Sequence, residues 1–285
     1  MRDRLGVVLL VLPLLVGVAL MVVEGAPRSR WLVNVVAGGL GLLAFALLRR
    51  SARRDGVVRG YAAWLAVASV WATLAFPAAD GVSRWLPLGP LHLHASAIAI
   101  PIVLVAAGRH TKDGRGDWLV LALAAALPLQ PDAGQATALA IGAPFVLAQR
   151  RWAWVLVFLA GWAWWRPDDL GVAPYVEDVL PRAVSRGVAW VGLCVAALAA
   201  YAIAPLVVDR GSATHRAIAA YFVATIVVGF VGVFPVPLLG SGASPILGAF
   251  LALGLLSPRT AITANDRDDP TVPLRGDDAA TAPAP

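Results

Sequence analysis

The residues with chemical potential gather in one segment of this 285-residue chain, RPDDLGVAPYVEDVLPRAVSR at 166–186. It carries Arg166, Arg182 and Arg186 together with Asp168, Asp169, Glu177 and Asp178. Arginine forks match the oxygens of a phosphate or diphosphate. A carboxylate in the same low-dielectric mouth holds its proton more tightly than in water and can act as general base toward a sugar hydroxyl. The pairs Asp168-Asp169 and Glu177-Asp178 are also suited to a divalent cation such as Mg²⁺ arriving with substrate phosphates. No pattern demands a resident metal or other cofactor. The plain alternative is a solvated loop, whose exposed ion pairs are worth ~0–1 kcal/mol each.

Little else in the sequence competes. His92 and His94 invite a haem or metal reading, but on a helix residues two apart point about 200° away from each other. His110 and His215 sit among basic inner loops and read as structural. Cys194 is the only cysteine, which excludes an intrachain disulfide and a thiolate metal site. No P-loop, dinucleotide fingerprint, H-E-x-x-H or nucleophile elbow is present.

What must position these residues is a membrane bundle. The composition, 59% hydrophobic and 14% charged, lies far from that of a soluble domain. Ten apolar runs follow one another at 5–23, 31–49, 60–78, 91–107, 117–130, 133–149, 151–165, 184–206, 216–236 and 241–257. Most approach the ~20 apolar residues that cross ~30 Å of hydrocarbon as a helix. With the N-terminus inside, 17 of the 23 basic residues fall in inner gaps and 6 in outer ones, as the positive-inside rule requires. The expected fold is therefore all-α, a polytopic bundle of about ten transmembrane helices with both ends in the cytoplasm. The pI of 10.4 follows from these loops, which meet anionic membrane lipids. No basic patch interleaved with aromatics points to nucleic acid.

The first run is longer than the core of a signal peptide and reads as a retained span. Residues 1–257 form the membrane domain, with the outer loop 166–183 as candidate site. Residues 258–285, rich in Pro, Ala and Asp, read as a disordered cytoplasmic tail. Runs five and six are short and meet at LQPDAG, 129–134, a turn whose tip is recessed in protein. Small-residue stretches at 38–44 and 248–254 allow helices to approach closely. Without an internal repeat, a transporter built from inverted halves loses support.

Two patches resemble the SEDS family, the shape, elongation, division and sporulation proteins of the RodA/FtsW/SpoVE type. PVPLLGSGASPILGAFLALGLL at 235–256 is similar, without gaps, to the family's P-L-P-x-x-S-Y-G-G-S-S and the leucine-rich helix after it. Pro235, Pro237, Gly242 and Ser244 match, while Gly240, Ser241, Ala243 and Pro245 replace Ser, Tyr, Gly and Ser. QPDAGQATA at 130–138 is similar to Q-P-D-L-G-T-A, with Gln130, Pro131, Asp132 and Gly134 matching. PYVEDV at 174–179 stands where the family has P-E-x-H-T-D-F. Pro174 matches, Asp178 takes the Asp position after a one-residue gap, and the His and Thr are absent. Ser185 and Arg186 replace a later acidic pair, and the outer segment is cut to about 18 residues.

The resemblance implies a protein of bacterial peptidoglycan synthesis in the cytoplasmic (inner) membrane. It would polymerise an undecaprenyl-diphosphate-linked sugar precursor, lipid II or its like, at the outer face. Asp178 would then be the general base, or Glu177 in a different register. Arg166, Arg182 and Arg186 would hold the diphosphate. Gln130 and Asp132, with Ser241, Gly242 and Ser244, would shape the cavity floor. Two alternatives remain open: a non-catalytic SEDS-like scaffold that binds the precursor or an envelope-synthesis partner, and a transporter or flippase.

Overall fold

A computed structural model describes residues 2–51, 56–76, 81–89, 91–166, 170–232 and 234–256. The tail 258–285 and the pair Asp168-Asp169 lie outside the described residues. Eleven helices are described: α1 (Arg2–Val23), α2 (Arg28–Ser51), α3 (Gly56–Ala72), α4 (Ala95–Ala107), α5 (Arg115–Ala126), α6 (Ala133–Gly142), α7 (Trp152–Trp165), α8 (Val179–Arg186), α9 (Val188–Val208), α10 (Ala213–Val231) and α11 (Ala243–Leu255). Each of the ten apolar runs yields one helix, and α8 is added before the eighth of them, taking in the first three residues of that run. The architecture is a polytopic helical membrane bundle. Among the described residues, α1, α2, α9 and α10 are each long and apolar enough to cross a bilayer alone.

Large apolar side chains such as Leu65, Trp154, Phe158 and Phe230 cover the outside of the bundle. In lipid they need no protein cover, so the interior is packed by close approach of backbones. The two small-residue stretches meet each other: Gly41 of α2 faces the ring of Phe250 on α11, and a Cβ at Gly254 would stand 3.1 Å from Phe45 Cα. Gly248 abuts the carbonyl of Ala97 on α4. Thus α11 is clasped between α2 and α4, while α1 lies along α9 and α6 along α10. At the inner end, Asp117 accepts from the N–H groups of Ala148 (2.8 Å) and Gln149 (3.1 Å), and Arg109 donates to the Leu255 carbonyl at 2.8 Å.

Two expectations are corrected. The fourth run does not begin as helix: β1 (Trp85–Leu88) and β2 (Leu91–His94) form an antiparallel hairpin with Trp85 opposite His94 and Pro87 opposite His92. In a strand, residues two apart share a face, so the helical argument that separated His92 from His94 fails. The outer loop is not irregular throughout either, because its second half is α8. Val179 and Ala183 of α8 are buried against Leu20, Cys194 and Val236, and Arg182 and Arg186 flank them on the same stripe of the helix and reach Glu24 at the end of α1.

Candidate functional site

At the end of the bundle that the charge pattern assigns to the outer face, three segments enclose an open pocket with about 250 Å³ of water-accessible space. The hairpin supplies Arg84, His92 and His94, the loop before α8 supplies Glu177, and the break before α11 supplies Ser241, Gly242 and Ser244. The local folding is dictated by hydrogen bonds across the chain. Ser241 N–H donates to the Tyr175 carbonyl at 2.6 Å, and Val236 N–H to that of Val176 at 3.4 Å. Gly240 presses on the same Val176 carbonyl, so no side chain fits there. Buried Asn34 of α2 reads both sides of the break, donating to the Gly240 carbonyl and accepting from Gly242 N–H, each at 2.9 Å.

Neighbouring carboxylates are used differently. Glu177 lines the pocket and accepts from Ala173 N–H at 2.8 Å. Burial pushes its proton affinity above the usual carboxylate range, and the Asp178 charge adds to this, outweighing the hydrogen bonds it accepts. Asp178 does not line the pocket. Its oxygens are taken by Tyr175 N–H at 2.6 Å and by Arg182, whose Nε and Nη2 lie at 2.8 and 2.6 Å.

The sequence-predicted arginines are not gathered around the pocket. Arg182 stacks over the Tyr175 ring at 4.1 Å and reaches Glu24 at 3.5 Å. Arg186 closes on Glu24 through Nε and donates to the Val23 carbonyl at 2.9 Å. Arg166 ends α7 on an exposed surface. Arg84 lines the pocket instead, 3% exposed, donating to the Pro131 carbonyl at 3.0 Å and lying over Trp85.

Gln130 and Asp132 sit below the pocket, buried in the recessed turn. Gln130 donates to the Val70 carbonyl and to Thr73 Oγ1 at 2.6 and 2.5 Å, tying the turn to α3. Asp132 caps α6 and accepts from His94 Nε2 at 2.8 Å and Ser96 Oγ at 2.5 Å. Ser244 Oγ accepts from His94 N–H at 2.8 Å, and Ser241 Oγ donates to the Arg30 carbonyl at 2.9 Å. A smaller inner cavity lies beneath, lined by His94, Asp132, Gln135, Tyr201, Tyr221 and Thr225 among others. It offers about 30 Å³ to water, above the ~10–15 Å³ that one ordered molecule needs.

Sequence reasoning missed Arg84, His94 and Ser96. A Gly-Pro dipeptide between short apolar runs, LPLGPLHLH at 86–94, was the available hairpin signal. Among the described residues, no group of three or more His, Cys, Asp or Glu stands close enough to hold a metal ion. With Asp178 committed to Arg182, the Glu177-Asp178 pair does not form a resident cation site.

No protein-family model matches the sequence, and no curated protein matches it. Solved structures do. RodA, the rod shape determining protein of Thermus thermophilus, is 19% identical over 88% of this chain and 93% of its own, with a TM-score of 0.60. An aspartate-to-alanine variant of that protein aligns at 21% identity, over 88% and 94%, with a TM-score of 0.59. A peptidoglycan synthase complex, described as coordinating polymerization and crosslinking, aligns at 20% identity over 88% and 95%, with a TM-score of 0.56. The chain has the fold of these proteins along nearly its whole length.

Proposed function

We propose that this chain is a SEDS-like protein of bacterial cell-envelope synthesis, seated in the cytoplasmic membrane. Its outer pocket takes a polyprenyl-diphosphate-linked sugar and passes the glycosyl unit to an acceptor hydroxyl. The observation that carries this reading is Glu177, half-buried in the wall of a pocket that also holds Arg84 and His92. A carboxylate with raised proton affinity is suited to take the acceptor proton, and an arginine and imidazoles suit the diphosphate. Any divalent cation arrives with the diphosphate. Asp178 serves the loop, fixing it to α8 through Arg182.

Two observations favour a second reading, a non-catalytic precursor-binding scaffold: the 166–186 segment is short, and Asp178 is consumed by Arg182. That protein would bind precursor without transfer. An envelope-synthesis protein partner fits either reading, as does the likeness to the peptidoglycan synthase complex. The ligand class is tested by titrating the full chain in lipid nanodiscs with a fluorescent polyprenyl-diphosphate disaccharide. Saturable binding displaced by unlabelled polyprenyl diphosphate is expected. Partition into the nanodisc without saturation overturns the proposed ligand.

A further inference from the structure

The floor of the outer pocket holds a buried charge that the reading above leaves unused. The Asp132 side chain is 1% exposed. Its carboxylate faces His94 Nε2 at 2.8 Å, Ser96 Oγ at 2.5 Å and Gln135 N–H at 3.4 Å. Ser96 Oγ also lies 3.0 Å from Nε2, and with the carboxylate ionised Nε2 carries a ring proton toward it. A carboxylate inside a membrane bundle is costly and persists only when paired.

This geometry fixes the other end of the ring. His94 Nδ1 has no hydrogen-bond partner among the described residues. It is also not sealed in, unlike the two nitrogens of His215, which are buried without partners. The His94 side chain is 12% exposed and borders both the outer pocket and the inner cavity. Nδ1 is therefore the free end of the ring, and Asp132 is placed to hold the imidazolium once Nδ1 takes a second proton. Arg84 and His92 from the hairpin and Glu177 from the loop before α8 line the outer pocket that the ring borders, and Tyr201 and Tyr221 from α9 and α10 line the inner cavity below it. From α11 comes Ser244, with no titratable group.

We propose that His94, oriented by Asp132, donates a proton through Nδ1 to the diphosphate of the ligand in the outer pocket. This rests on the diphosphate reading given above. In the transfer step the bond from the sugar's anomeric carbon to the diphosphate oxygen breaks, and its electron pair leaves with the diphosphate. The acceptor oxygen bonds to that carbon and gives its proton to Glu177, while the Nδ1 proton passes to the departing oxygen. Water then returns the proton from Glu177 to His94, and the pocket is restored. Asp132 touches no substrate and is a positioning residue.

The test uses the full chain in nanodiscs with farnesyl diphosphate as probe, its affinity read by calorimetry between about pH 5.5 and 8.5. Wild type should bind more tightly toward low pH. His94→Gln should bind about tenfold more weakly at the acid end, with the pH slope reduced to the probe's own ionisation. Asp132→Asn should flatten the slope in the same direction, and His110→Gln, at an exposed loop position outside both cavities, should retain it. A second readout needs no variant that must fold: the chain has four histidines, so its ¹⁵N-histidine spectrum can be assigned. The His94 signals should move with farnesyl diphosphate and stay with farnesol. Probe binding with an unchanged slope in His94→Gln, or without movement of the His94 signals, overturns this inference alone. A wild type that never binds the probe overturns the diphosphate reading, and this inference with it.

Discussion

Arg182 holds Asp178 through two nitrogens, at 2.8 and 2.6 Å, one turn along α8. With Tyr175 N–H on the other carboxylate oxygen, Asp178 is spent on structure, and the adjacent Glu177 is left to the pocket. Glu177→Gln should therefore lower glycosyl transfer by about 10²–10⁴-fold. Asp178→Asn should cost stability, about 1 kcal/mol, with a smaller loss of turnover. Thermal unfolding and turnover measured on both variants separate the two roles.

The pH dependence follows from the raised proton affinity of Glu177, caused first by burial. A base works only when deprotonated, so turnover should rise with pH through a midpoint above the ordinary carboxylate range. Stability runs the other way. The folded chain binds this proton more tightly than the unfolded one, so the contribution is present below the unfolded value and lost as pH rises through the folded one. Glu177→Gln removes that loss, so at neutral pH the variant should melt no lower than wild type while its turnover falls.

Glu24 acts as a latch between the α1–α2 turn and α8. The Arg186 hydrogen bond holds its carboxyl below the usual range, with Arg182 adding to this against a partial offset from burial. The latch is complete above the ordinary carboxylate range and weakens as pH falls through the depressed value. Glu24→Gln should speed amide hydrogen exchange across 179–186 at neutral pH and leave exchange in α4 unchanged.

Gly248 touches the Ala97 carbonyl, whereas a Cβ at Gly39 would meet nothing within 4 Å. Gly248→Ala should force α11 from α4, costing about 1–3 kcal/mol and folded yield. Gly39→Ala should be neutral or slightly stabilising. Size-exclusion profiles and melting temperatures of the two variants check this.

Much of the frame was legible because hydropathy reports span by span. Ten runs gave ten helices, and the stretches at 38–44 and 248–254 meet where small residues permit it. The hairpin was hidden because LHLH runs straight into the apolar residues of α4, so four residues of period two vanish in one long run. In α8, Leu180 and Val184 opposite Arg182 and Arg186 did carry an amphipathic pattern. The loop's charges drew the reading toward a phosphate site instead. The pairings Glu24 with Arg186 and His94 with Asp132 join residues 162 and 38 positions apart. Spacing along the chain does not encode such partners, so the arginines were assigned to a ligand while the chain itself consumes two of them.

The most direct test supplies a labelled polyprenyl-diphosphate disaccharide and Mg²⁺ to wild type, Glu177→Gln and Asp178→Asn, with glycan products resolved on a gel. Ladders from wild type and Asp178→Asn, and none from Glu177→Gln, are the predicted result. A ladder from Glu177→Gln equal to that of wild type would contradict the assignment of the proton acceptor. Precursor bound by wild type with no ladder, also after envelope-synthesis proteins are added, would contradict catalysis and leave the scaffold.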